Sequence, residues 1–187
     1  MRLFIALNLP GTERARIHQA AEPLRNHGLP VRWVEEDKLH VTLKFLGDVR
    51  KATLPEVQRI MTQVEGSTAT FDMKLGGFGA FPTIRKPRVL WLGVEASPEL
   101  RCLKQDLEWG LSDCGFDPET RAFHPHVTLG RADEKGAAGA FRGLDEMVAG
   151  MEFDGAVPVE SVDLMKSRLA KGRPRYETVF TAELATD

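Results

Sequence analysis

The tetrapeptide His-Val-Thr-Leu occurs twice in this chain, as His40–Leu43 and as His126–Leu129. Each copy lies in a run of apolar and β-branched residues that is typical of a strand. Residues i and i+2 of a strand point to the same face and lie about 7 Å apart. We therefore predict that each histidine shares a face with its threonine, while the valine and the leucine face the core. The fold must accommodate two such half-buried strands.

Strand and helix patterns alternate in a similar order in the two halves of the chain. In the first half we predict strands over 2–9, 31–34, 40–46 and 71–78, and helices over 12–25 and from Thr53 onward. Pro23 is expected to kink or end the first helix, and Thr53-Leu54-Pro55-Glu56 matches a capping box. In the second half we predict strands over 88–94, 126–129, 160–165 and 176–184, and helices after Ser97-Pro98 and over 140–149. Residues 1–187 are thus predicted to form one α+β domain with two similar lobes, each supplying one His-x-Thr strand.

Composition and charge restrict the class of protein. Hydrophobic residues make up 42% of the chain, which is enough to build a core, and the formal net charge is −2. Proteins that are held to nucleic acid by bulk electrostatics are usually basic. Any contact of this protein with RNA should therefore be local, at the end of a strand.

Targeting signals and cysteine usage point to the cytoplasm. No segment approaches the length of a membrane span. The apolar start is broken by Asn8 and Pro10 and lacks a small-residue cleavage site, so we interpret it as a strand and not as a signal peptide. Cys102 and Cys114 have neither the spacing of metal ligands nor that of a disulfide framework. We expect both to be structural thiols.

The paired motifs suit the hydrolysis of a phosphodiester without a metal ion. Displacement at phosphorus requires a base on the attacking side and an acid on the leaving side. Histidine has an ordinary pKa near 6.5 and can fill both roles near neutral pH, so His40 and His126 are the candidate catalytic residues. The hydroxyls of Thr42 and Thr128 can bind the charged phosphoryl oxygens. Because the sequence shows no cluster of carboxylates for a two-metal site, we expect neither a metal nor another cofactor.

The chain resembles the 2H phosphoesterase superfamily, and within it the RNA 2′,3′-cyclic phosphodiesterases, which are also called 2′-5′ RNA ligase-like proteins. The resemblance runs nearly end to end and is carried by four blocks, Arg2–Leu7, His40–Gly47, Pro87–Gly93 and Phe123–Arg131. It implies a bilobal α+β fold with pseudo-twofold symmetry, in which each lobe has an antiparallel sheet with helices and the active-site groove lies between the lobes.

The resemblance also implies a reaction. The substrate is an RNA with a 2′,3′-cyclic phosphate end, for example a tRNA fragment, and the product is a 2′-phosphate, with 2′-5′ ligation as the related reverse reaction. By analogy His40 protonates the leaving 3′-oxygen and His126 activates water, although the near symmetry of the site leaves these two roles exchangeable. No membrane or obligate protein partner is implied, and we expect a monomer.

Further residues near the motifs are candidates for substrate binding. Arg131 would lie on the face opposite His126 in a regular strand, but Gly130 can mark a bulge that redirects it towards a phosphate. Phe81, in a predicted loop, is the candidate for stacking on the terminal base. We expect Phe45, which alternates with Leu43, to pack in the core instead.

Two other features are weaker indications of function. His124 and His126 form a His-x-His pair, but Pro125 and the lack of a third ligand argue against zinc. Residues 166–175 carry five positive charges and no acidic residue. This basic segment is either a solvated hairpin loop or a mobile loop that follows the RNA backbone.

Two alternatives to this function stay open from the sequence. One is a protein that binds RNA ends without catalysis, in which the histidines only hold the phosphate. The other is a 2H phosphodiesterase that acts on 2′-5′ oligonucleotides or on another cyclic phosphate. The sequence identifies neither the physiological RNA nor whether ligation is used.

Overall fold

The structure, a computed structural model, describes residues 1–136 and 138–186; residues 137 and 187 of the predicted domain lie outside the described part. It contains five helices: α1 Gly11–Ala20, α2 Glu22–Arg25, α3 Leu54–Ser67, α4 Pro98–Asp113 and α5 Leu144–Ala149. The nine strands are β1 Arg2–Asn8, β2 Val31–Trp33, β3 His40–Asp48, β4 Phe71–Pro82, β5 Pro87–Val94, β6 His126–Ala132, β7 Gly155–Val159, β8 Ser161–Ala170 and β9 Arg173–Glu183. None of these helices has the length and apolar composition that a membrane crossing needs.

All nine strands form one sheet in the order β7-β4-β5-β6-β3-β1-β8-β9, and β2 pairs with β6 outside this path. The named strands pair antiparallel, which confirms the predicted α+β class. Four strands of this order lie on each side of the contact between β3 and β6, where Val41 faces Val127. We call β1, β3, β8 and β9 the terminal lobe, because it contains both chain ends, and β4 to β7 the central lobe. The last two strands thus return to the lobe in which the chain begins.

The core lies between one face of this sheet and the helices. The predicted helix after Ser97-Pro98 is α4, which buries Leu100, Leu103, Leu107 and Leu111. Ser97 caps this helix by accepting a hydrogen bond of 3.2 Å from the backbone N–H of Leu100. Val41 and Val127 are fully buried on the same side of the sheet. His40 and Thr42 of β3 and His126 and Thr128 of β6, which alternate with these valines, are therefore directed to the opposite face.

Of three predicted helix boundaries, one is confirmed and two differ from the structure. The predicted helix over 12–25 is interrupted at Ala21, as expected from Pro23, which lacks a backbone N–H and hinders the preceding turn. The predicted capping box is wrong: Thr53 closes a short 3₁₀ turn in a helical conformation and makes no side-chain cap. The last predicted helix shortens to α5, because Gly143 adopts a left-handed φ of 80° immediately before it.

The largest differences in the strands concern β4 and β7, while β3, β6, β8 and β9 also extend past their predicted bounds. β4 continues to Pro82, where it pairs with Pro87, so Phe81 lies in a strand and not in the predicted loop. β7 was not predicted, since it is short and Pro158 lacks a donor for a sheet. It pairs with β4 and forms the outer strand of the central lobe.

Candidate active site

The two His-x-Thr strands are neighbours at the centre of the sheet. Because Val41 of β3 faces Val127 of β6 in an antiparallel pair, the histidine of each strand lies near the threonine of the other. The histidines and threonines are partly exposed, while the valines and leucines between them are buried. The predicted alternation is thus confirmed for both motifs, and it brings two imidazoles and two hydroxyls to one face.

Both imidazoles are held in the same way. The Nδ1 atom of His40 lies 2.7 Å from the carbonyl oxygen of Lys38, and Nδ1 of His126 lies 2.7 Å from the carbonyl oxygen of His124. A carbonyl oxygen only accepts, so Nδ1 carries the proton in each ring. In the neutral form Nε2 of each histidine is therefore the basic atom. Two equivalent, oriented bases on one face form the centre of the candidate site.

The two histidines differ in the contact made by Nε2. The Nε2 atom of His40 lies 3.0 Å from the hydroxyl oxygen of Thr42, which donates to the neutral ring. Among the described residues, Nε2 of His126 has no hydrogen-bond partner. The atom on His126 is consequently the more available to water or substrate.

A bulge in β3 reverses the alternation after the first motif. Between Ile5 and Ala6 of β1, the partner in β3 moves from Lys44 to Thr42, which leaves Leu43 as an extra residue. Lys44 is consequently buried and Phe45 is 67% exposed. The prediction that Phe45 packs in the core is therefore wrong, because it assumed a regular strand.

A bulge at the equivalent place in β6 redirects Arg131. Between Leu90 and Trp91 of β5, the partner moves from Gly130 to Thr128, so that Leu129 is the extra residue. Arg131 is exposed and lies on the His126 face, as predicted for a bulge. Gly130 is required here, because a Cβ atom would lie 2.5 Å from Val31 of β2. Among the described residues Arg131 forms no ion pair.

The electrostatic environment favours the neutral form of both histidines. Burial lowers the pKa of His40, the bond to the Lys38 carbonyl opposes this, and the positive charges of Arg14, Arg131 and His126 lower the pKa further. Burial also lowers the pKa of His126, again opposed by its carbonyl bond and assisted by Arg131. Because a proton on His126 disfavours one on His40, the pair holds one proton more readily than two. One protonated and one neutral histidine is the state that acid–base catalysis needs.

Aromatic rings surround each histidine. The ring centroids of Phe4 and Tyr176 lie 5.1 and 5.4 Å from that of His40. In the central lobe the ring of Phe81 meets His126 edge-to-face at 5.0 Å and packs against Trp91. Phe81 therefore supports the His126 ring from a strand; its contact with substrate stays a prediction.

Phe4 and Trp91 also belong to the site, although no local pattern in the sequence indicates them. Both lie on the histidine face, as their register with β3 and β6 shows. The indole of Trp91 covers Gly79, where a Cβ atom would lie 2.3 Å from the ring. An aromatic residue opposite a glycine in a neighbouring strand is a signal for such a position. It can be recognised only when the register of the two strands is known.

A buried ionic network lies behind the bulge of β3. The carboxylate of Glu108 accepts from Lys44 at 2.6 Å and from Lys104 at 2.5 Å. Lys104 also donates to the carbonyl oxygen of Leu43, the bulged residue, at 2.7 Å. Lys44 donates to the carbonyl oxygen of Asp117, in the segment that leads to β6. The network thus joins the bulge after the first motif to the approach to the second.

The remaining predicted features concern a metal site and the basic segment. Within residues 1–136 and 138–186, no three histidine, cysteine or acidic side chains are grouped to hold a metal ion. Residues 166–170 of the basic segment belong to β8 and residues 173–175 to β9, with the turn at Lys171-Gly172. The segment is therefore part of a hairpin, but its loop is much shorter than predicted. Two shallow cavities of about 540 and 490 Å³ adjoin Trp91 and not the histidines.

Comparison with known proteins identifies the family. A model of the 2′-5′ RNA ligase superfamily matches residues 12–170. The chain belongs to this superfamily. A protein of Aeropyrum pernix named RNA 2′,3′-cyclic phosphodiesterase is 33% identical over 172 residues, which are 91% of this chain and 96% of that protein. A protein of the same name from Methanothermobacter thermautotrophicus is 32% identical over 178 residues, 94% of this chain and 95% of that protein.

Solved structures of superfamily members have the same fold. Escherichia coli LigT complexed with 3′-AMP superposes with a TM-score of 0.78 at 29% identity, covering 98% of this chain and 97% of that one. TT0787 of Thermus thermophilus superposes with a TM-score of 0.78 at 28% identity over 98% of both chains. These likenesses extend over nearly the whole length, as the resemblance of the four sequence blocks predicted.

Proposed function

We propose that the protein hydrolyses RNA ends that carry a 2′,3′-cyclic phosphate to a 2′-phosphate, with His40 and His126 as a metal-independent acid–base pair. The observation that carries the proposal is the equivalent anchoring of the two imidazoles, each with Nδ1 bonded to a carbonyl at 2.7 Å. Both Nε2 atoms are basic atoms on the same face of the sheet. The names of the two archaeal relatives support the class of substrate.

Each side chain of the site has a part in the proposed reaction. A water molecule attacks phosphorus, the bond to the 3′-oxygen breaks, and the 2′-oxygen keeps the phosphate. His126 accepts the proton of the water, and His40 donates a proton to the 3′-oxygen. The greater availability of Nε2 on His126 supports this assignment. In ligation of a 5′-hydroxyl end the same two histidines exchange roles.

The phosphate would be held by the groups beside the histidines. The hydroxyls of Thr42 and Thr128 can donate to the non-bridging oxygens, where negative charge increases in the transition state. The guanidinium of Arg131 can bind the same oxygens in a bidentate manner. Arg131 is exposed on the face that carries His126, and its positive charge lowers the pKa of both histidines.

The proposal is tested with a short RNA that ends in a 2′,3′-cyclic phosphate, in excess chelator. We expect turnover to a 2′-phosphate, and a decrease of about 10²-fold or more in His40→Ala and in His126→Ala. Binding without turnover would indicate an RNA-end binding protein. Activity only on 2′-5′ oligonucleotides, or activity that the chelator abolishes, would also contradict the proposal.

The assignment of acid and base has its own test. A cyclic substrate with sulfur in place of the 3′-oxygen has a leaving group that needs little protonation. This substrate should restore activity to His40→Ala but not to His126→Ala. Restoration of His126→Ala instead would reverse the two roles.

A further inference from the structure

We infer that Arg14 of α1 is a positioning residue of the active site, which holds the peptide bond before His40 and so keeps the imidazole in its catalytic orientation. This inference rests on the proposed function and adds to it a residue outside the two motif strands. Its basis is a set of side-chain hydrogen bonds that takes the place of a backbone bond in the other lobe.

The backbone that precedes His40 is irregular and is held by Arg14. Residues Glu36–Lys38 form a 3₁₀ turn, and β3 begins only at His40. The carbonyl oxygen of Lys38 binds Nδ1 of His40 at 2.7 Å. The next carbonyl oxygen, that of Leu39, accepts a hydrogen bond of 3.1 Å from Nε of Arg14. Because the two carbonyls are consecutive, Arg14 stabilises the backbone whose carbonyl orients His40.

In the central lobe a backbone group has the same position at His126. The carbonyl oxygen of His124 binds Nδ1 of His126 at 2.7 Å. The next carbonyl oxygen, that of Pro125, accepts from the backbone N–H of Val94 in β5 at 3.1 Å. The two catalytic rings are thus anchored alike, but the second carbonyl is bound by a strand in one lobe and by a helix side chain in the other.

The terminal lobe uses a side chain here because its strand ends earlier. β1 borders β3 as β5 borders β6. β5 extends one residue beyond the position opposite His126, whereas β1 ends at Asn8, opposite His40, and the chain then enters α1. Arg14, near the start of α1, supplies the donor that a longer β1 would have provided.

Arg14 is itself held by a network that crosses the terminal lobe. Nη2 of Arg14 donates to Oδ1 of Asn8 at 3.3 Å, and Nδ2 of Asn8 donates to Asp163 of β8 at 2.6 Å. The other oxygen of this carboxylate accepts from the hydroxyl of Thr181 in β9 at 2.6 Å. Asp163 is 8% exposed and, among the described residues, forms no ion pair. A carboxylate only accepts, so it fixes the amide of Asn8 with its oxygen towards Arg14.

The positive charge of Arg14 suits a residue behind a general acid. The charged and titratable groups that surround His40, directly or through Asn8, are Arg14 on α1, Arg131 and His126 on β6, Asp163 on β8 and Tyr176 on β9. Arg131 lowers the pKa of both histidines, whereas Arg14 lowers that of His40. A lower pKa makes protonated His40 a stronger proton donor. Arg14 thus distinguishes the histidine proposed as the acid from the one proposed as the base.

The kinetic test compares Arg14→Met with Arg14→Lys in the hydrolysis of adenosine 2′,3′-cyclic phosphate. Methionine has a similar helix propensity but no donor, and we expect it to lower kcat about tenfold or more with little change in KM, because a misplaced acid affects the chemical step. Lysine places a charged donor at about the position of the guanidinium carbon and should retain most of kcat. Arg16→Met is the matched control and should leave kcat unchanged, because Arg16 lies on the same helix but bonds to Glu13 and to the carbonyl oxygen of Asp154.

Nitrogen NMR of the two imidazoles measures the positioning without a substrate, since the nitrogen shifts of a neutral ring report which atom carries the proton. In the unsubstituted protein both neutral rings should carry it on Nδ1. In Arg14→Met the His40 ring should lose this preference, while His126, whose backbone is held by β5, should keep it. A general loosening of the protein would change both rings alike.

Four results would overturn the inference. They are an unchanged kcat in Arg14→Met, a loss that appears mainly in KM, an unchanged tautomer of His40, and an equal change in both rings. Failure of the unsubstituted protein to hydrolyse the cyclic phosphate would instead contradict the proposed function. In that event the NMR comparison decides the inference alone.

Discussion

Replacing Glu108 by alanine should destabilise the protein by about 3–5 kcal/mol, the usual cost of removing one partner from a buried ion pair. Glu108 is 8% exposed, and its carboxylate accepts from Lys44, from Lys104 and from the backbone N–H of Glu119. Without it two lysines that are 4% and 7% exposed lose their shared counter-charge. Each lysine keeps a backbone carbonyl, and Lys104 also keeps the Glu119 carboxylate at 3.1 Å, which favours the lower part of the range.

Urea unfolding measures this cost. With a dependence of about 2 kcal/mol per molar urea, the midpoint should fall by about 1.5–2.5 M. Glu177→Ala is the control, because its partner Arg168 and Glu177 itself are each 62% exposed, and it should change stability by less than about 0.5 kcal/mol. A cost below about 1 kcal/mol for Glu108→Ala would refute the view that both buried lysines depend on this carboxylate.

The pH dependence gives a second readout of the same network. Burial alone would raise the pKa of Glu108, but the bonds from Lys104 and Lys44 outweigh it and hold the pKa below its usual range. A carboxylate with a lowered pKa in the folded state stabilises above its unfolded pKa, and this stabilisation is lost as the pH falls through the folded value. The difference between the unsubstituted protein and Glu108→Gln should therefore shrink on acidification below about pH 4.

Three further predictions concern the active-site strands. Since burial and nearby positive charges lower the pKa values of His40 and His126, kcat/KM should peak below about pH 6.5 and fall about tenfold per pH unit above both values; an optimum above pH 7.5 would contradict this. Arg131→Gln removes a charge that lowers both pKa values, so it should reduce kcat/KM and move the optimum to higher pH, and an unmoved optimum would show that its charge is screened. Gly130→Ala should cost about 1–3 kcal/mol in urea unfolding, because its Cβ atom would lie 2.5 Å from Val31, whereas an unchanged midpoint would mean that β2 can move away.

The orientation of the side chains in the first half of each motif strand could be predicted, because residues i and i+2 of a strand point to the same face. Local alternation is sufficient to place His40 with Thr42 and His126 with Thr128, because no irregularity lies between them. The next residue of each strand is a bulge, and a bulge depends on the partner strand. For this reason Phe45 was assigned to the wrong face.

The orientation of Arg131 could be predicted better than that of Phe45, because the sequence beside it contains a local signal. Gly130 indicated a bulge within the sequence itself, so the redirection of Arg131 could be stated as an alternative in advance. In β3 the equivalent position is Lys44, which gives no such signal and is buried only because Glu108 of α4 lies opposite. Contacts between residues 64 positions apart cannot be read from local patterns.

Long-range pairing of strands also explains why Phe81 was wrongly predicted in a loop and why the end of the chain belongs to the lobe in which the chain begins. The glycines and prolines around Phe81 favoured a loop, but pairing of β4 with β5 outweighs the local preference and extends both strands. The pattern of alternating elements suggested that each half of the chain builds one lobe. In the structure β8 pairs with β1, so the end of the chain completes the terminal lobe.

We propose that His40 and His126 act as one acid–base unit on a cyclic phosphate. The most direct measurement is kcat/KM for adenosine 2′,3′-cyclic phosphate with His40→Ala, His126→Ala and the double variant. Residues that act together in one step are not additive. We predict that each single substitution costs about 10²-fold or more and that the double variant is little slower than the slower single variant. Near-normal activity in either single variant, or losses that multiply in the double variant, would contradict the account.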